Sequence, residues 1–283
     1  LALSNSSIME RIVDGEIASV NETKYQVSVR LKKRDKPFGR GHICGGCAIS
    51  HKTILTAAHC LWGDNVLTMR RLLSPEDISV VTGSTKRNDR SPPTLIFDIT
   101  EMDFHRKYRR STVQYDVGLL FLKGEIPFGH PTAQPIPISS RPLQEGRHCR
   151  VSGWGRISPT GGLPNDLLTI TVRTLAPPTC RARYSNLMFA SIRSGMFCAE
   201  GEAKKDVCKG DSGGPLVCDN EVVGIVSWGI DCGVSYPSVY TDVYYYRDWI
   251  FENSAHSINL DFVNLKIASL LSLLIIVKQW YWF

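Results

Sequence analysis

Three kinds of pattern are scarce in this 283-residue chain, and each scarcity disfavours a class of protein. No helical repeat appears, which argues against an all-helical fold. The longest almost continuously apolar stretch, Ile267–Val277, has eleven residues and is too short for a transmembrane helix. Aromatic residues are scarce where positive charge is concentrated, because Tyr108 is the only one within the basic clusters Arg30–Lys36 and Arg106–Arg110.

The charge balance is correspondingly modest, with a formal net charge of +6. Basic clusters without interleaved aromatic residues provide no stacking platform, so we expect no binding of nucleic acid. We interpret the clusters as solvated surface loops, with a surface for an acidic protein partner as the alternative.

The chain contains nine cysteines, which indicates an oxidising compartment and therefore a secreted protein. Cys44 and Cys47 form a Cys-x-x-Cys pair, a spacing that also occurs in redox and zinc sites. No second pair of cysteines or histidines stands at ligand spacing, so we predict no bound metal and no cofactor.

A serine among glycines is the most informative feature of the chain, in the stretch Cys208–Pro215. The neighbouring glycines leave the hydroxyl of Ser212 open and let two backbone N–H groups converge beside it. An attacking serine needs that room and those donors, because negative charge develops on the oxygen of the attacked carbonyl. By itself the pattern also fits the nucleophile elbow of an α/β-hydrolase or a simple glycine turn.

A serine hydroxyl needs a base and an orienting group before it can attack. The α/β-hydrolase order places the histidine after the serine, but the only such histidine, His256, lies in the C-terminal tail. Upstream, His59 follows an apolar run and Asp116 begins a segment that looks buried. A buried carboxylate is costly without a partner, and an imidazole N–H would supply one. We therefore predict that His59, Asp116 and Ser212 act together.

These three segments, in this order and spacing, resemble the chymotrypsin/trypsin-like serine peptidases over about residues 12–253. The resemblance implies an all-β fold of two antiparallel β-barrels packed together, with the active site in the crevice between them and a C-terminal helix. It makes His59 the base, Asp116 its orienting acid and Ser212 the nucleophile, and it places the oxyanion hole at the N–H groups of Gly210 and Ser212. Protein or peptide substrates are implied, and a proteinaceous inhibitor is compatible as a further partner.

The pattern of short segments agrees with an all-β fold. Apolar segments separated by Gly, Pro and Asn turns recur to about residue 240. Alternation over Lys24–Leu31 predicts a half-buried strand, and Ile43–Thr56 and Ile78–Gly83 are further strand regions. Pro127–Pro142 is expected to connect the barrels, and Tyr244–Asn253 to form the C-terminal helix.

The resemblance also pairs eight of the nine cysteines. The implied disulfides are Cys44–Cys60, Cys149–Cys218, Cys180–Cys198 and Cys208–Cys232. Cys47 is left over, and we interpret it as a small buried thiol. A calcium site is not expected, because the stretch that corresponds to the calcium loop of trypsins, Ser84–Pro93, contains no glutamate.

Activation by proteolysis is implied by the sequence around Arg11 and Ile12. In the family, cleavage after the basic residue frees an isoleucine ammonium, which pairs with the aspartate before the serine, here Asp211. A buried charge that loses its partner costs about 3–5 kcal/mol. We therefore expect residues 1–11 to form a short propeptide that an activating protease removes, and residues 12–254 to form the peptidase domain.

Substrate preference is implied by Asp206, six residues before Ser212, where the family has the floor of its primary specificity pocket. A carboxylate there favours an Arg or Lys side chain. Three residues resemble a wall of that pocket: Ser227, Trp228 and Gly229. Ser238 stands where the opposite wall usually has glycine, and Asp231 adds negative charge at the rim, so the preference between Arg and Lys stays open.

Residues 255–283 lie beyond the resemblance and include the apolar stretch. An interfacial helix, a lipid-anchor signal and a non-functional extension are the alternatives for this tail. We expect an extracellular protein, with membrane attachment through the tail as the less favoured alternative.

The sequence thus predicts a secreted serine endopeptidase, made as a zymogen and cutting after Arg or Lys through an acyl-enzyme. The alternative from another class is a non-catalytic homologue that acts as a binding module. Such homologues usually lack a catalytic residue, whereas His59, Asp116 and Ser212 are all present. An enzyme with apolar primary specificity is a third option.

Overall fold

The computed structural model describes residues 15–63, 71–158, 160–187, 190–201, 206–230, 232 and 235–255. Arg11, Ile12, Asp231 and residues 256–283, on which several predictions fall, lie outside these ranges. Strands β1 to β15 are, in chain order, Glu16–Ile17, Gln26–Leu31, His42–Ala48, Thr53–Thr56, Trp62–Gly63, Arg71–Leu72, Ile78–Thr82, Leu95–Phe104, Gly118–Leu122, His148–Gly153, Leu168–Thr174, Met196–Gly201, Pro215–Cys218, Glu221–Trp228 and Ser238–Asp242. Helix α1 is Pro177–Arg183 and helix α2 covers residues 247–255.

The first barrel consists of six antiparallel strands that close in the order β2-β3-β4-β9-β8-β7. Val29 on β2 lies opposite Cys44 on β3 and Val80 on β7, which fixes the register at the centre of this sheet. Val29, Val80 and Leu119 are fully buried, as expected of side chains that fill a small barrel. The strand regions predicted over residues 43–56 and 78–83 are confirmed.

Strand β2 differs from the half-buried strand that its alternation predicts, because every one of its residues is buried. The polar side chains on its second face bind one another, other residues of the first barrel such as His42, or groups of the second barrel, and do not face solvent. Arg30 Nε donates to Ser28 Oγ at 2.9 Å, and Gln26 Oε1 accepts a hydrogen bond from Ser152 Oγ at 2.7 Å. The prediction was wrong because an internal polar network can replace solvent on one face of a strand.

The second barrel closes in the order β11-β10-β13-β14-β15-β12, since β12 also pairs with β11. Strand β1, close to the start of the described chain, adds to the edge of β11 with Glu16 opposite Thr169. The proline-rich segment 127–142 runs from β9 of the first barrel to β10 of the second, as predicted. The fold is therefore the predicted pair of antiparallel barrels with a C-terminal helix.

All four predicted disulfides are present: Cys44–Cys60 ties a turn to a strand, Cys149–Cys218 joins two strands, Cys180–Cys198 ties a helix to a strand, and Cys208–Cys232 joins two loops. Such bonds typically stabilise a fold by about 2–4 kcal/mol each. Cys47 on β3 is unpaired and fully buried, and burial raises the pKa of its thiol above its ordinary range. This cysteine is therefore an inert, protonated core residue, in agreement with its interpretation from the sequence.

Helix α2 begins three residues later and ends two residues later than predicted, at residues 247 and 255. Within the described ranges, no helix combines the length and the apolar character needed to cross a membrane.

Candidate active site

His59 is presented by a short 3-10 turn, Ala58–Leu61, that directly follows strand β4. The other three residues of this turn are buried, which anchors it, whereas the His59 side chain keeps 25% of its surface exposed. The disulfide between Cys60 and Cys44 links the turn to strand β3. The imidazole is thus a partly accessible group on a firmly held turn.

Asp116 lies two residues before strand β9, and its side chain is only 1% exposed. Oδ1 accepts a hydrogen bond from the backbone N–H of His59 at 2.9 Å. Oδ2 accepts from His59 Nδ1 at 2.8 Å and from the Ser227 hydroxyl at 2.5 Å. A carboxylate can only accept, so Nδ1 carries the hydrogen and the neutral ring presents the Nε2 lone pair.

Ser212 lies in the loop between strands β12 and β13, close to the His59 turn. Cys60 Sγ lies 3.8 Å from His59 Nε2 and 3.6 Å from the Ser212 carbonyl oxygen, so both residues border one sulfur atom. Gly45 N–H donates to the same carbonyl at 2.8 Å. Within the described ranges the Ser212 hydroxyl makes no hydrogen bond to His59. Such a bond is often long without substrate and tightens when substrate binds.

Two backbone N–H groups beside Ser212 are available to a ligand. The N–H groups of Asp211, Gly213 and Gly214 already donate to backbone carbonyls. Among the described residues, no acceptor takes a hydrogen bond from the N–H of Gly210 or of Ser212. Gly210 has a φ of +108°, which favours glycine, and a Cβ there would stand 3.0 Å from a neighbouring backbone carbon. These are the two donors that the resemblance to the serine peptidases implies for the oxyanion hole.

His42, the first residue of β3, fixes Gly210 from the other barrel. Its Nε2 lies 3.0 Å from the Gly210 carbonyl and its Nδ1 lies 2.8 Å from the Ser28 hydroxyl. Because a carbonyl only accepts, Nε2 donates, and Nδ1 accepts from Ser28. Burial lowers the pKa of His42 to about 3, so the ring stays neutral at neutral pH and keeps this arrangement. No local pattern around His42 predicts this contact.

Asp211 is buried immediately before the serine, with 2% of its surface exposed. Its two carboxylate oxygens accept from the backbone N–H groups of Gly155 at 2.7 Å and Cys208 at 2.9 Å. Burial nevertheless raises the pKa of Asp211 to about 6, against the opposing effect of these two donors. No cationic side chain pairs with it within the described part of the chain.

A recess of about 310 Å³ opens beside Ser212. The residues that line it are Val207, Cys208, Lys209, Ser212, Val226, Ser227, Trp228, Gly229, Cys232 and Ser238. The four predicted wall residues are thus brought together at the serine. Lys209 at the rim was not singled out from the sequence, although its place beside Gly210 could have suggested it.

Asp206 is not among the described residues that line this recess. It is 3% exposed, and its Oδ1 accepts from the N–H of Val207 at 2.7 Å. Burial raises the pKa of Asp206 to about 6, while the nearby Ser238 hydroxyl acts to lower it. Ser238 is fully buried and lines the recess, and its hydroxyl lies close enough to the Asp206 carboxylate to stabilise the ionised form. Ser238 therefore contacts both the recess and the carboxylate.

Among the described residues, one group brings three potential metal ligands within 4.8 Å of one another. It consists of Cys44, His59 and Cys60, but the two sulfur atoms are joined in a disulfide. Bonded sulfurs supply no thiolate, so the group lacks the donors of a zinc site.

Comparison with known proteins identifies relatives along most of the chain. The model of the family described as Trypsin matches residues 12–250. Trypsin zeta of Drosophila erecta is 32% identical over 249 residues, with 85% of this chain and 84% of that protein covered. Hypodermin-A of Hypoderma lineatum is 36% identical over 247 residues, with 86% and 88% covered. Among solved structures, neuropsin, a serine protease expressed in the limbic system of mouse brain, is 29% identical, with a TM-score of 0.71 over 85% of this chain and 99% of that chain.

Replacement of Asp116 by asparagine tests the role of the carboxylate. An amide would offer an N–H to Nδ1, which favours the tautomer whose Nε2 carries the hydrogen and cannot accept one from Ser212. We expect kcat for a peptide substrate to fall by about 10⁴-fold, the loss that the same replacement causes in a serine peptidase with a Ser-His-Asp triad. Circular dichroism and the thermal midpoint control for folding. A folded variant within tenfold of the parent kcat would contradict this role.

Proposed function

Because the chain belongs to the trypsin family of serine peptidases, we propose that Ser212, His59 and Asp116 are its catalytic residues and that it is a secreted endopeptidase. The observation that supports this most directly is the 2.8 Å hydrogen bond from His59 Nδ1 to Asp116, beside two unoccupied N–H donors. A base, its orienting acid and an oxyanion site then surround one serine.

The proposed reaction proceeds through an acyl-enzyme. Ser212 Oγ attacks the carbonyl carbon of the substrate while its proton passes to His59 Nε2, and the oxygen that becomes negative binds the N–H groups of Gly210 and Ser212. His59 then gives that proton to the departing amine as the C–N bond breaks. A water molecule attacks the ester in the same way, and its hydrolysis regenerates the serine. Asp116 keeps the ring oriented and stabilises the imidazolium.

For specificity, we propose cleavage after Lys or Arg. Asp206 is a buried carboxylate adjacent to the recess, and a substrate cation would provide the partner that a buried charge requires. The oxygen of the Ser238 hydroxyl, beside the Asp206 carboxylate, can accept a hydrogen bond from a lysine ammonium. The same hydroxymethyl group occupies space that the larger guanidinium of arginine needs, so we expect lysine to be preferred.

A panel of peptide amides with Lys, Arg, Phe or Leu before the cut bond tests this proposal, on protein cleaved after Arg11. We expect Lys and Arg substrates to be hydrolysed and the others to react at least about 100-fold more slowly. Asp206→Asn should lower kcat/KM for both basic substrates by about 10²–10³-fold. Ser238→Gly should raise the ratio of Arg to Lys hydrolysis by about tenfold.

Ser212→Ala, processed identically, controls for residual activating protease. If the Phe or Leu substrate is hydrolysed fastest, the proposal of basic specificity is wrong and the enzyme has apolar primary specificity. A folded, cleaved chain that hydrolyses none of the four would support the binding-module alternative instead.

Secretion and activation belong to the same proposal. Four disulfides persist in an oxidising compartment, which supports an extracellular location. Residues 1–11 would form the propeptide and residues 12–254 the peptidase domain, with residues 255–283 as a tail of unassigned role. Asp211, buried with no cationic partner among the described residues, is suited to receive the Ile12 ammonium that cleavage after Arg11 would free.

Activation should therefore change stability in a pH-dependent way. Above about pH 6 the uncleaved chain carries Asp211 ionised and unpaired, whereas the cleaved chain pairs it with Ile12. We expect the cleaved form to be more stable to urea at pH 7.5 by about 3–5 kcal/mol. As the pH falls below 6, Asp211 of the uncleaved chain becomes protonated, so this difference shrinks.

Urea titrations of both forms at pH 7.5 and 4.5 measure the effect. Asp211→Asn is the matched control, and it should remove the pH dependence of the difference. Equal stability of the two parent forms at pH 7.5 would contradict the proposed ion pair.

A further inference from the structure

The direction of a bound substrate divides the surface around Ser212 into two sides. If the residue before the cut enters the recess, the acyl half of the substrate lies along the wall formed by Ser227, Trp228 and Gly229. The half that leaves must then extend to the opposite side of the serine. That side is bordered by strand β3 and the Cys44–Cys60 disulfide, which contact the Ser212 carbonyl.

The loop before β3, which contains Gly39 and Arg40, lies on this leaving side. It is connected through Arg87 to the segment that packs on Gly210. Leu163 packs on Gly210, because a Cβ there would stand 3.0 Å from Leu163 Cδ2. Arg87 donates to the Leu163 carbonyl at 3.2 Å and to the Gly39 carbonyl at 2.5 Å. Arg40, the residue after Gly39, is exposed. One buried arginine therefore holds the Arg40 loop beside the loop that contacts the oxyanion glycine.

Three basic residues on this side form what we call the leaving-side basic surface: Lys209, Arg156 and Arg40. Lys209 is exposed at the rim of the recess, and its carbonyl accepts from the Arg156 N–H at 2.8 Å. Among the described residues, the Arg156 guanidinium donates only to the Gly161 carbonyl of its own loop, at 2.5 Å. None of the three has a carboxylate partner among the described residues. Each keeps a charge that a ligand can neutralise.

The nearby acidic groups do not cancel this charge. Asp35 accepts from Arg30 at 3.4 Å and from the Gly39 N–H at 2.7 Å, so it is already engaged. Asp166 pairs with Lys86. The exposed Asp89, which accepts from a backbone N–H of its own turn, stands against a further exposed cation, Arg90, one residue on. Among the described residues, the balance of charge on the leaving side is therefore positive.

We propose that the leaving-side basic surface selects protein substrates with acidic residues after the cleaved bond. This specificity rests on the proposed peptidase function and adds a second substrate requirement to it. An extended peptide advances about 3.3–3.6 Å per residue, so the first few residues after the cut pass over Lys209 and then toward Arg40. Exposed ion pairs contribute about 1.4- to 5-fold each, so two or three should act together to give a measurable preference.

Internally quenched peptides that share one acyl half, with lysine before the cut, provide the test. After the cut they carry either three glutamates or three glutamines within the first four residues. On the activated full chain at 50 mM NaCl, we expect kcat/KM for the glutamate peptide to be about five- to twentyfold higher. The ratio should fall toward one at 500 mM NaCl, because salt screens exposed charges. A ratio near one at low salt overturns the proposal.

Variants locate the effect. Lys209→Gln combined with Arg40→Gln should reduce the glutamate-to-glutamine ratio to about two or less. Lys123→Gln is the matched control, since this exposed lysine follows the end of β9 that lies away from Asp116. It should keep the parent ratio. A double variant that also keeps the parent ratio overturns the assignment to these residues. The ratio is taken within each variant, so a general loss of activity does not imitate the result.

Two further measurements separate this proposal from the proposed function. A coumarin amide with the same acyl half has no residues after the cut, so its hydrolysis reports the peptidase function alone. If neither the amide nor the peptides are cleaved, the peptidase function fails. Fluorescence anisotropy of the two peptides on Ser212→Ala then decides the inference. Tighter binding of the glutamate peptide than of the glutamine peptide supports the inference. Equal binding of the two peptides overturns it.

Discussion

One buried carboxylate joins the two barrels at the candidate site. Asp116 accepts both donors of His59 from the first barrel and the Ser227 hydroxyl from the second, and its carbonyl accepts from Thr241 on β15 at 2.8 Å. A charge with 1% exposure tolerates burial only if its acceptor positions are filled. The orientation of the imidazole therefore depends on the packing of one barrel against the other, and the proposed chemistry depends on that orientation.

The serine loop contains a second buried carboxylate, Asp211, which differs from Asp116 because it still lacks a cationic partner among the described residues. Asp211 is held by two backbone N–H groups, and burial raises its pKa to about 6. His42, kept neutral by burial, holds the Gly210 carbonyl from the first barrel. The proposed activation would complete this loop by adding one cation, and the loop already presents the N–H groups of Gly210 and Ser212, which donate to no acceptor among the described residues.

Short motifs were enough to identify the three central residues and the family resemblance that implies the fold. A base beside a cysteine, a lone acid before a strand and a serine among glycines are each local patterns. The buried polar face of β2 could not be read in this way, since its partners, such as Ser152 for Gln26, lie far away in sequence. The Ser227 hydroxyl was expected only at the substrate wall, and its contact with Asp116 requires knowledge of how β14 reaches the first barrel. Lys209 and Arg40 lie outside the basic clusters of the sequence, and only the folded chain connects the Arg40 loop to the segment that packs on Gly210, next to Lys209 and Ser212.

The central claim is that the fold makes the Ser212 hydroxyl nucleophilic. Labelling with a fluorophosphonate probe, followed by peptide mass spectrometry, measures this directly and does not depend on the choice of substrate. The account predicts one adduct, on Ser212, in the chain cleaved after Arg11, with far slower labelling of the uncleaved chain and none in Ser212→Ala. A folded, cleaved chain that stays unlabelled, or that carries its adduct on another residue, would contradict it.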